Sequence, residues 1–472
     1  MRNAIYSFRC PHTAPIELNR KGTIQEPMKT TGNSPHNMNA MSSSRNRGAT
    51  MLREATDPWT GSSKFDLSQR DRIELGTKNI RNALSRVGHP ENHFSIIMVG
   101  GTNGKTSTTY FISQLLRKAG VSVGTFSSPH PQDPGQEIQI NGRPISQKDV
   151  ESILPIFLSH TPELSAFELK VCTALEHFKR NDVQIAVMEM GMGGREDAVN
   201  VRQPDMAVIT TIDLDHTEHL GQTIEEIAHH KADIIPEDGL LVTNATSPGL
   251  DILQTVAEER NTEIIHPEYD DYIPHLFHLM VEYHKENASL AMETVRQFAF
   301  AHPKLFPRKV STLNLMTWSQ DLYPPEGRFQ VIPMANEMKL VLDGAHNPAG
   351  FGALFGDLER FFKTTHRQSI VVIMGILADK DIPAMIPHTK NIGGKYFCTA
   401  PSAPKARRGD PELLAREVRK VHEDVFVAPT VKEAIESALL LLSDNRGIIL
   451  VTGSLYMVAD AKQWILEQQG KE

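Results

Sequence analysis

Apolar residues in this chain come in short unbroken runs closed by glycine-rich or polar turns, and the stretches between them repeat at helical spacing. Ile96–Val99 reads as a buried parallel strand, and Lys105 opens a helix that runs to a stop at Gly120. Val121–Phe126 is a second strand. Phe167, Val171, Ala174, Leu175 and Phe178 share one helical face, which predicts a helix over Ala166–Arg180. Val183–Met188 and Met206–Ile212 are two more buried strands, each ending in polar residues. From Asp66 onward this alternation predicts a parallel α/β sheet. Around Leu313–Gly327 the pattern lapses into a polar, proline-containing junction. Beyond it, Lys339–Leu342, Ser369–Met374, Lys395–Cys398 and Gly447–Val451 read as strands of a smaller α/β domain. The expected division is a leader over 1–65, a central domain over 66–322 and a C-terminal domain over 323–472.

Composition narrows the class without choosing a function. At 472 residues the chain exceeds one typical core, and its 40% hydrophobic and 22% charged content is that of a globular protein. A net charge of −8 without a long basic run argues against nucleic acid as partner. No apolar run approaches the roughly 18 residues a membrane span needs. Cys10, Cys172 and Cys398 are odd in number and widely spaced, which suits free thiols in a reducing, cytoplasmic compartment. The first 50 residues hold seven Lys/Arg against Glu17 and Glu26 alone. With little apolar periodicity they read as a disordered basic leader, or alternatively as a transit peptide that would make the location mitochondrial.

The chemistry gathers at strand ends, where open α/β sheets bind ligands. Val-Gly-Gly-Thr-Asn-Gly-Lys-Thr-Ser at 99–107 joins strand to helix through a glycine-bracketed turn. Backbone N–H groups at such a helix start cradle an anion. Lys105 adds a point charge, and Thr106 or Ser107 supplies a hydroxyl for Mg²⁺. The spacing is tighter than the general P-loop pattern, because Val99 stands where that pattern has glycine. Ser127-Ser128-Pro129-His130 follows the next strand. Glu189 closes a buried strand before Met190-Gly191-Met192-Gly193-Gly194-Arg195-Glu196-Asp197, where it either binds a metal or caps the glycine turn. His216 lies among carboxylates in Asp213–His219, as a metal ligand or a packing residue. Lys231 sits on a helical segment, and by pattern alone is a solvated surface charge. In the second domain, Arg328 in Gly-Arg-Phe-Gln reads as a phosphate contact or a surface charge. Asp343 in Leu-Asp-Gly-Ala-His-Asn-Pro reads as a ligand or a turn cap.

Taken in order, these motifs resemble the folylpolyglutamate synthase/dihydrofolate synthase family of the Mur ligase superfamily. The matching residues are Gly-Thr-Asn-Gly-Lys at 101–105, Ser-Pro-His at 128–130, Asn-Gly at 141–142, Glu-Met-Gly-Met-Gly-Gly-Arg at 189–195 and Asp-His-Thr at 215–217. Lys-Ala at 231–232, Gly-Arg-Phe-Gln at 327–330, Asp-Gly-Ala-His-Asn-Pro at 343–348, Ala-Asp-Lys-Asp at 378–381 and Thr-Gly-Ser-Leu-Tyr at 452–456 complete the set. Ile73–Gly76 resembles the family's N-terminal helix.

That resemblance implies a P-loop-type ATPase domain followed by a smaller Rossmann-like α/β domain, the Mur ligase architecture. The implied enzyme is an ADP-forming ligase joining L-glutamate to a pteroate or folate carboxylate through an acyl phosphate. The alternative is a Mur-type amide ligase acting on a different carboxylate. The resemblance implies ATP on Gly101, Thr102, Asn103, Gly104, Lys105, Thr106 and Ser107, with Asn287, Arg328 and Asp343 also binding the nucleotide. Mg²⁺ falls to Thr106 (or Ser107), Ser128, Glu189 and His216. Lys231 matches a lysine carbamylated in the superfamily, and Lys105, Lys231, Arg328 and His346 are the implied catalytic groups. His284 matches a histidine near the adenine. The expected partners are small molecules alone, bound by a monomer. Two departures stand out. Lys105-Thr106-Ser107 looks closer to the Mur branch, and Glu137 occupies a position where the family has an arginine near a pterin or glutamate substrate.

Overall fold

The protein is described here from a computed structural model, which describes residues 17–18, 24–25, 59, 67–70, 76–128, 134–161, 163–267, 276, 278–279, 281–334, 337–364, 369–442 and 447–469. Cys10, Ile73–Leu75, Pro129, His130, Pro131–Asp133 and most of the 1–65 leader lie outside these residues. Within the leader, β1 (Glu17–Leu18) and β2 (Ile24–Gln25) pair antiparallel. The chain divides into two compact units. One comprises 55–328 with 347–353; the other comprises 1–54, 329–346 and 354–472.

The first unit is built on an eight-stranded sheet. Its strands are β3 (Ser95–Gly100), β4 (Val123–Phe126), β5 (Ile138–Ile140), β6 (Arg143–Pro144), β7 (Ile185–Glu189), β8 (Met206–Ile209), β9 (Leu240–Thr243) and β10 (Glu263–Ile265). They run in the order β10-β9-β8-β3-β7-β4-β5-β6. Six strands are parallel, as the sequence predicts. The β5–β6 hairpin then adds an antiparallel edge, because Asn141 and Gly142 both take the left-handed backbone a tight reversal needs. Alternation along β3 shows why the run is uniformly apolar: Ile96 and Met98 enter one core, Ile97 and Val99 the other.

Helices cover both faces. On one lie α1 (Lys78–Arg86), α3 (Gln147–His160), α4 (Ala166–Arg180), α6 (Ile224–Ala232) and α7 (Gly249–Glu259), with the single turn α5 (Thr217–Leu220) preceding α6. α4 has the predicted bounds, fixed by a Ser165–Glu168 capping box. On the other face α2 (Lys105–Lys118) packs against α8 (Glu282–Ala301) through Phe111, Leu115, Ala288 and Met292. The stretch read as a polar junction begins instead with a short helix, α9 (Thr312–Ser319), capped by Ser311 and anchored by buried Leu315. Its two turns are too short for a legible apolar stripe.

The second unit holds a six-stranded sheet made of β11 (Gln330–Pro333), β12 (Lys339–Leu342), β13 (Ser369–Met374), β14 (Lys395–Cys398), β15 (Val425–Val427) and β16 (Gly447–Thr452). The order is β11-β12-β16-β13-β14-β15, parallel except for the β11 edge. The four strands predicted here are all present, β16 extending one residue further to Thr452.

Candidate active site

Four neighbouring strands, β8-β3-β7-β4, end side by side in the first unit, and all four carry sequence-predicted groups at or just beyond their carboxyl ends. β3 leads into Gly101–Gly104, β7 ends on Glu189, β4 leads into Ser127-Ser128, and the chain beyond β8 reaches Asp215 and His216. The parallel register sets Val99 opposite both Glu189 and Val208.

The phosphate loop is held by the strand end beside it. Thr102 N–H donates to Thr211 O at 2.7 Å, Asn103 N–H to Thr211 Oγ1 at 3.2 Å, and Thr210 Oγ1 to Asn103 O at 2.6 Å. Thr102 Oγ1 donates to Asp213 O and accepts from Asp213 N–H. Thr210 and Thr211 are functional neighbours that sequence reading passed over. Their one signal is a pair of hydroxyl residues directly after an apolar strand, and this stitching ends β8 at Ile209 rather than at the expected Ile212. Gly101 and Gly104 both have positive φ. A Cβ on Gly101 would strike Thr210, and one on Gly104 would strike the Asn287 amide. Asn287 is buried on α8 and also accepts from Thr108 Oγ1 at 3.4 Å, so it lies against the loop and the first turn of α2.

Two lysines converge on one carbonyl. Lys105 Nζ donates to Gly101 O at 3.1 Å and Thr102 O at 3.0 Å, and Lys231 Nζ donates to Gly101 O at 2.7 Å. Lys231 is not a solvated surface charge. It is 5% exposed, because the last turn of α6 packs under the loop. Burial, reinforced by the Lys105 charge, lowers its pKa from 10.5 to about 7 against the opposing pull of Asp215 and Asp197. Burial also lowers Lys105, and Glu189 and Asp215 counteract it. Both lysines line a pocket together with Asp215, His216 and the Gly191–Gly193 turn.

Glu189 is 1% exposed and accepts from Thr106 Oγ1 at 2.8 Å through Oε1. Its Oε2 makes no well-formed hydrogen bond, the Ser128 amide being the weakest of the groups that draw its pKa down. Burial outweighs Lys105, Thr106 and Arg328 and raises the carboxyl from 4.5 to about 7. A carboxylate so placed gains from a cation, and the hydroxyl and carboxylate oxygens of Thr106, Ser128 and Glu189 are donors that suit Mg²⁺. Among the described residues no three His, Cys, Asp or Glu side chains form a metal cluster, so such an ion would depend on hydroxyls and phosphate oxygens as well. Asp197 carries no metal geometry. Its carboxylate accepts from Met192 and Val199 N–H and shapes the glycine turn.

Arg328, the last residue of the first segment of this unit, donates from Nη2 to Thr106 Oγ1 at 3.4 Å. Asn347, assigned to the same unit, donates to Asp215 Oδ2 at 2.9 Å and pairs with Asn103. His216 adopts a left-handed backbone, φ 52°, at the start of α5. Its Nε2 lies 4.0 Å from Asp215 Oδ2. His284 is buried between Phe111 and Tyr283, and burial lowers its pKa to about 3, which keeps it neutral. In the second unit, Asp343 accepts from Phe329 and Ala345 N–H and thus shapes its own loop, while His346 Nδ1 lies 2.9 Å from Gly344 O.

The departure at Glu137 has a structural counterpart. Glu137 is 2% exposed in the 3-10 turn just before β5 and pairs at 2.6 Å with Lys170 of α4, whose ammonium lies over the Trp59 ring.

The family model of the Mur ligase middle domain matches residues 99–301, and that of the Mur ligase glutamate ligase domain matches 327–455. A probable bifunctional folylpolyglutamate synthase/dihydropteroate synthase of Haloferax volcanii is 30% identical over 84% of this chain and 49% of its own length. The chain therefore spans about half of that relative. A dihydrofolate synthase/folylpolyglutamate synthase of Bacillus subtilis is 29% identical over 83% of this chain and 96% of its own. Among solved structures, the Mycobacterium tuberculosis folylpolyglutamate synthase complexed with ADP aligns with a TM-score of 0.74 at 26% identity, covering 84% of this chain and 96% of that one.

Proposed function

The chain belongs to the Mur ligase family, with the middle and glutamate ligase domains in that order, and from this premise we propose that it is an ATP-dependent, ADP-forming ligase joining L-glutamate to a pteroate or folate carboxylate. The observation that carries the reading is the convergence of Lys105 and Lys231 on the Gly101 carbonyl, beside a Glu189 carboxylate bonded to Thr106. A phosphate loop alone would fit many ATPases. A second, near-neutral buried lysine and a poorly satisfied buried carboxylate narrow the choice.

A carboxylate is a poor acyl donor because its oxygen leaves badly. Attack of the acceptor carboxylate oxygen on the γ-phosphorus, with ADP leaving, gives an acyl phosphate. Attack of the glutamate amine on that carbonyl then forms the amide and expels phosphate. Loop N–H groups from Gly101 to Ser107 and the Lys105 ammonium hold the nucleotide phosphates, and Arg328 adds charge beside Thr106. Thr106 or Ser107, Ser128, Glu189 and His216 would hold Mg²⁺, which would supply charge to neutralise the phosphate oxygens. Asn287 supports the loop glycine, and Asp343 and His346 complete the nucleotide-binding and catalytic set. The amine of Lys231, close to half neutral at pH 7, is suited to attack CO₂. The N–C bond forms, one proton leaves the nitrogen, and the neutral amine becomes a carboxylate-like anion.

We further assign the central domain to 66–322 and the ligase domain to 323–472, in a monomer whose partners are small molecules. The location is cytoplasmic, or mitochondrial if the basic leader directs it there. Cys172 and Cys398 are unpaired and buried, which fits a reducing compartment. Among the described residues no helix is long and apolar enough to cross a membrane.

The pairing of buried Glu137 with the partly exposed Lys170 favours one alternative, a ligase of the same type acting on another acid. Purified protein assayed for ADP release against a substrate panel decides between them. Release requiring both L-glutamate and a pteroate or folate supports the reading. Release that ignores both, while responding to another acid and amine, supports the alternative.

A further inference from the structure

Arg328 is delivered to the phosphate loop by a segment that runs back along α2, and that segment is tied to the helix at defined points. Lys118 pairs with Asp321 at 2.7 Å, and His278 Nε2 lies 2.8 Å from Leu322 O. The most specific tie is Gln114, which is 6% exposed. Its Nε2 donates to Tyr323 O at 2.9 Å, and its Oε1 accepts from Tyr323 N–H at 3.2 Å. One side-chain amide thus satisfies both backbone groups of one residue, as a neighbouring strand would.

The geometry sets a register. Gln114 lies eight residues after Thr106 on the same helix, which at about 1.5 Å per residue is roughly 12 Å. Five residues, at most about 17 Å extended, carry the chain from Tyr323 to Arg328. Pro324 and Pro325 stiffen that span, and a turn in which Arg328 N–H donates to Pro325 O takes up the slack. A slip of one residue would move Arg328 by about 3 Å, enough to part its guanidinium from Thr106 Oγ1, now 3.4 Å away.

We propose that Gln114 is a positioning residue: by clamping Tyr323 it registers the linker so that the Arg328 guanidinium meets the N-terminus of α2, where nucleotide phosphates bind. The inference rests on the nucleotide-binding part of the reading above. It does not depend on which acid is the acceptor.

The test is a double-mutant cycle on the full chain, read by calorimetric titration with ADP in the presence of Mg²⁺. Gln114→Met keeps the length of the side chain and loses both bonds. It should weaken ADP by about tenfold. Arg328→Ala should weaken it at least as much, and the double variant no further, because the clamp acts only through the arginine. Hydrogen exchange at amides 320–323 and 326–328 should quicken in Gln114→Met. Should that variant lose too much stability, Tyr323→Pro deletes the same linker donor from outside the helix and should reproduce the loss. Multiplying losses in the double variant, or wild-type affinity in Gln114→Met or Tyr323→Pro, would overturn the clamp. Tight ADP binding without folate- and glutamate-dependent turnover would instead count against the ligase reading and leave the clamp in place.

Discussion

The ends of β3 and β4 lie one strand apart in the same sheet, yet they are held in different ways. Beyond β3 the loop is tied by backbone and hydroxyl bonds to Thr210, Thr211 and Asp213, and its glycines leave no room for a Cβ. Beyond β4 one backbone bond, Ser127 N–H to Glu137 O, is backed by charge: the Glu137 side chain pairs with Lys170, whose ammonium lies over the Trp59 ring. A loop that must cradle phosphate needs its own N–H groups pointing at the ligand, so its support comes from the neighbouring strand. A loop that presents a hydroxyl can be set from behind by an ion pair with a buried carboxylate. Changes at β3 should therefore affect chemistry, and changes behind β4 should affect stability first.

The largest effect is expected at the β3 end. Lys105→Ala should lower ADP release by on the order of 10³-fold with an unchanged circular dichroism spectrum. Retained turnover would remove the loop lysine from the mechanism. Lys231→Ala should lose about a hundredfold, part of it recovered by added short carboxylic acids that replace the carbamate. In the wild type, Lys231 is neutral above about pH 7 and Glu189 is ionised above about the same value, so turnover should climb as pH rises through 7. A flat profile from pH 6 to 8 would contradict both assignments.

Behind β4 the expected loss is thermodynamic. Lys170→Met removes a cation from beside the buried Glu137 carboxylate, at a cost of about 2–4 kcal/mol. At roughly 2–4 °C per kcal/mol, thermal melting should fall by about 4–16 °C, with the apparent affinity for ADP nearly unchanged. A variant that melts normally but has lost ADP affinity would reverse the contrast between the two loops.

The smallest effect concerns Glu189. The folded protein holds its carboxyl proton up to about pH 7, whereas an unfolded chain releases it near 4.5. Its cost to stability is therefore full above pH 7 and fades as pH falls to 4.5. Glu189→Gln should raise the melting temperature slightly at pH 8 without Mg²⁺ and leave it unchanged at pH 4.5. A lower melting temperature at pH 8 would mean that the carboxylate already stabilises the empty protein.

Much of this site was legible because its signals are local. Gly101–Ser107, Glu189 and Asp215-His216 each follow an apolar run, and a parallel sheet brings such endings to one edge. Lys231 was not legible by pattern. One helical lysine looks like another, and only the packing of α6 beneath the loop buries it. Thr210 and Thr211 were missed for a related reason, since two threonines after a strand are common and their partners lie over a hundred residues away. Gln114 is the extreme case. Its partner Tyr323 is 209 residues distant and offers only backbone atoms, so no side-chain pattern could have joined them.

The most direct test follows the oxygen atoms of the acid. With both acceptor carboxylate oxygens labelled with ¹⁸O, and L-glutamate and ATP supplied, the account predicts one labelled oxygen in each phosphate released, because that oxygen bridges carbon and phosphorus before the amine displaces it. Phosphate released without label during amide formation would contradict activation of the acid by phosphoryl transfer.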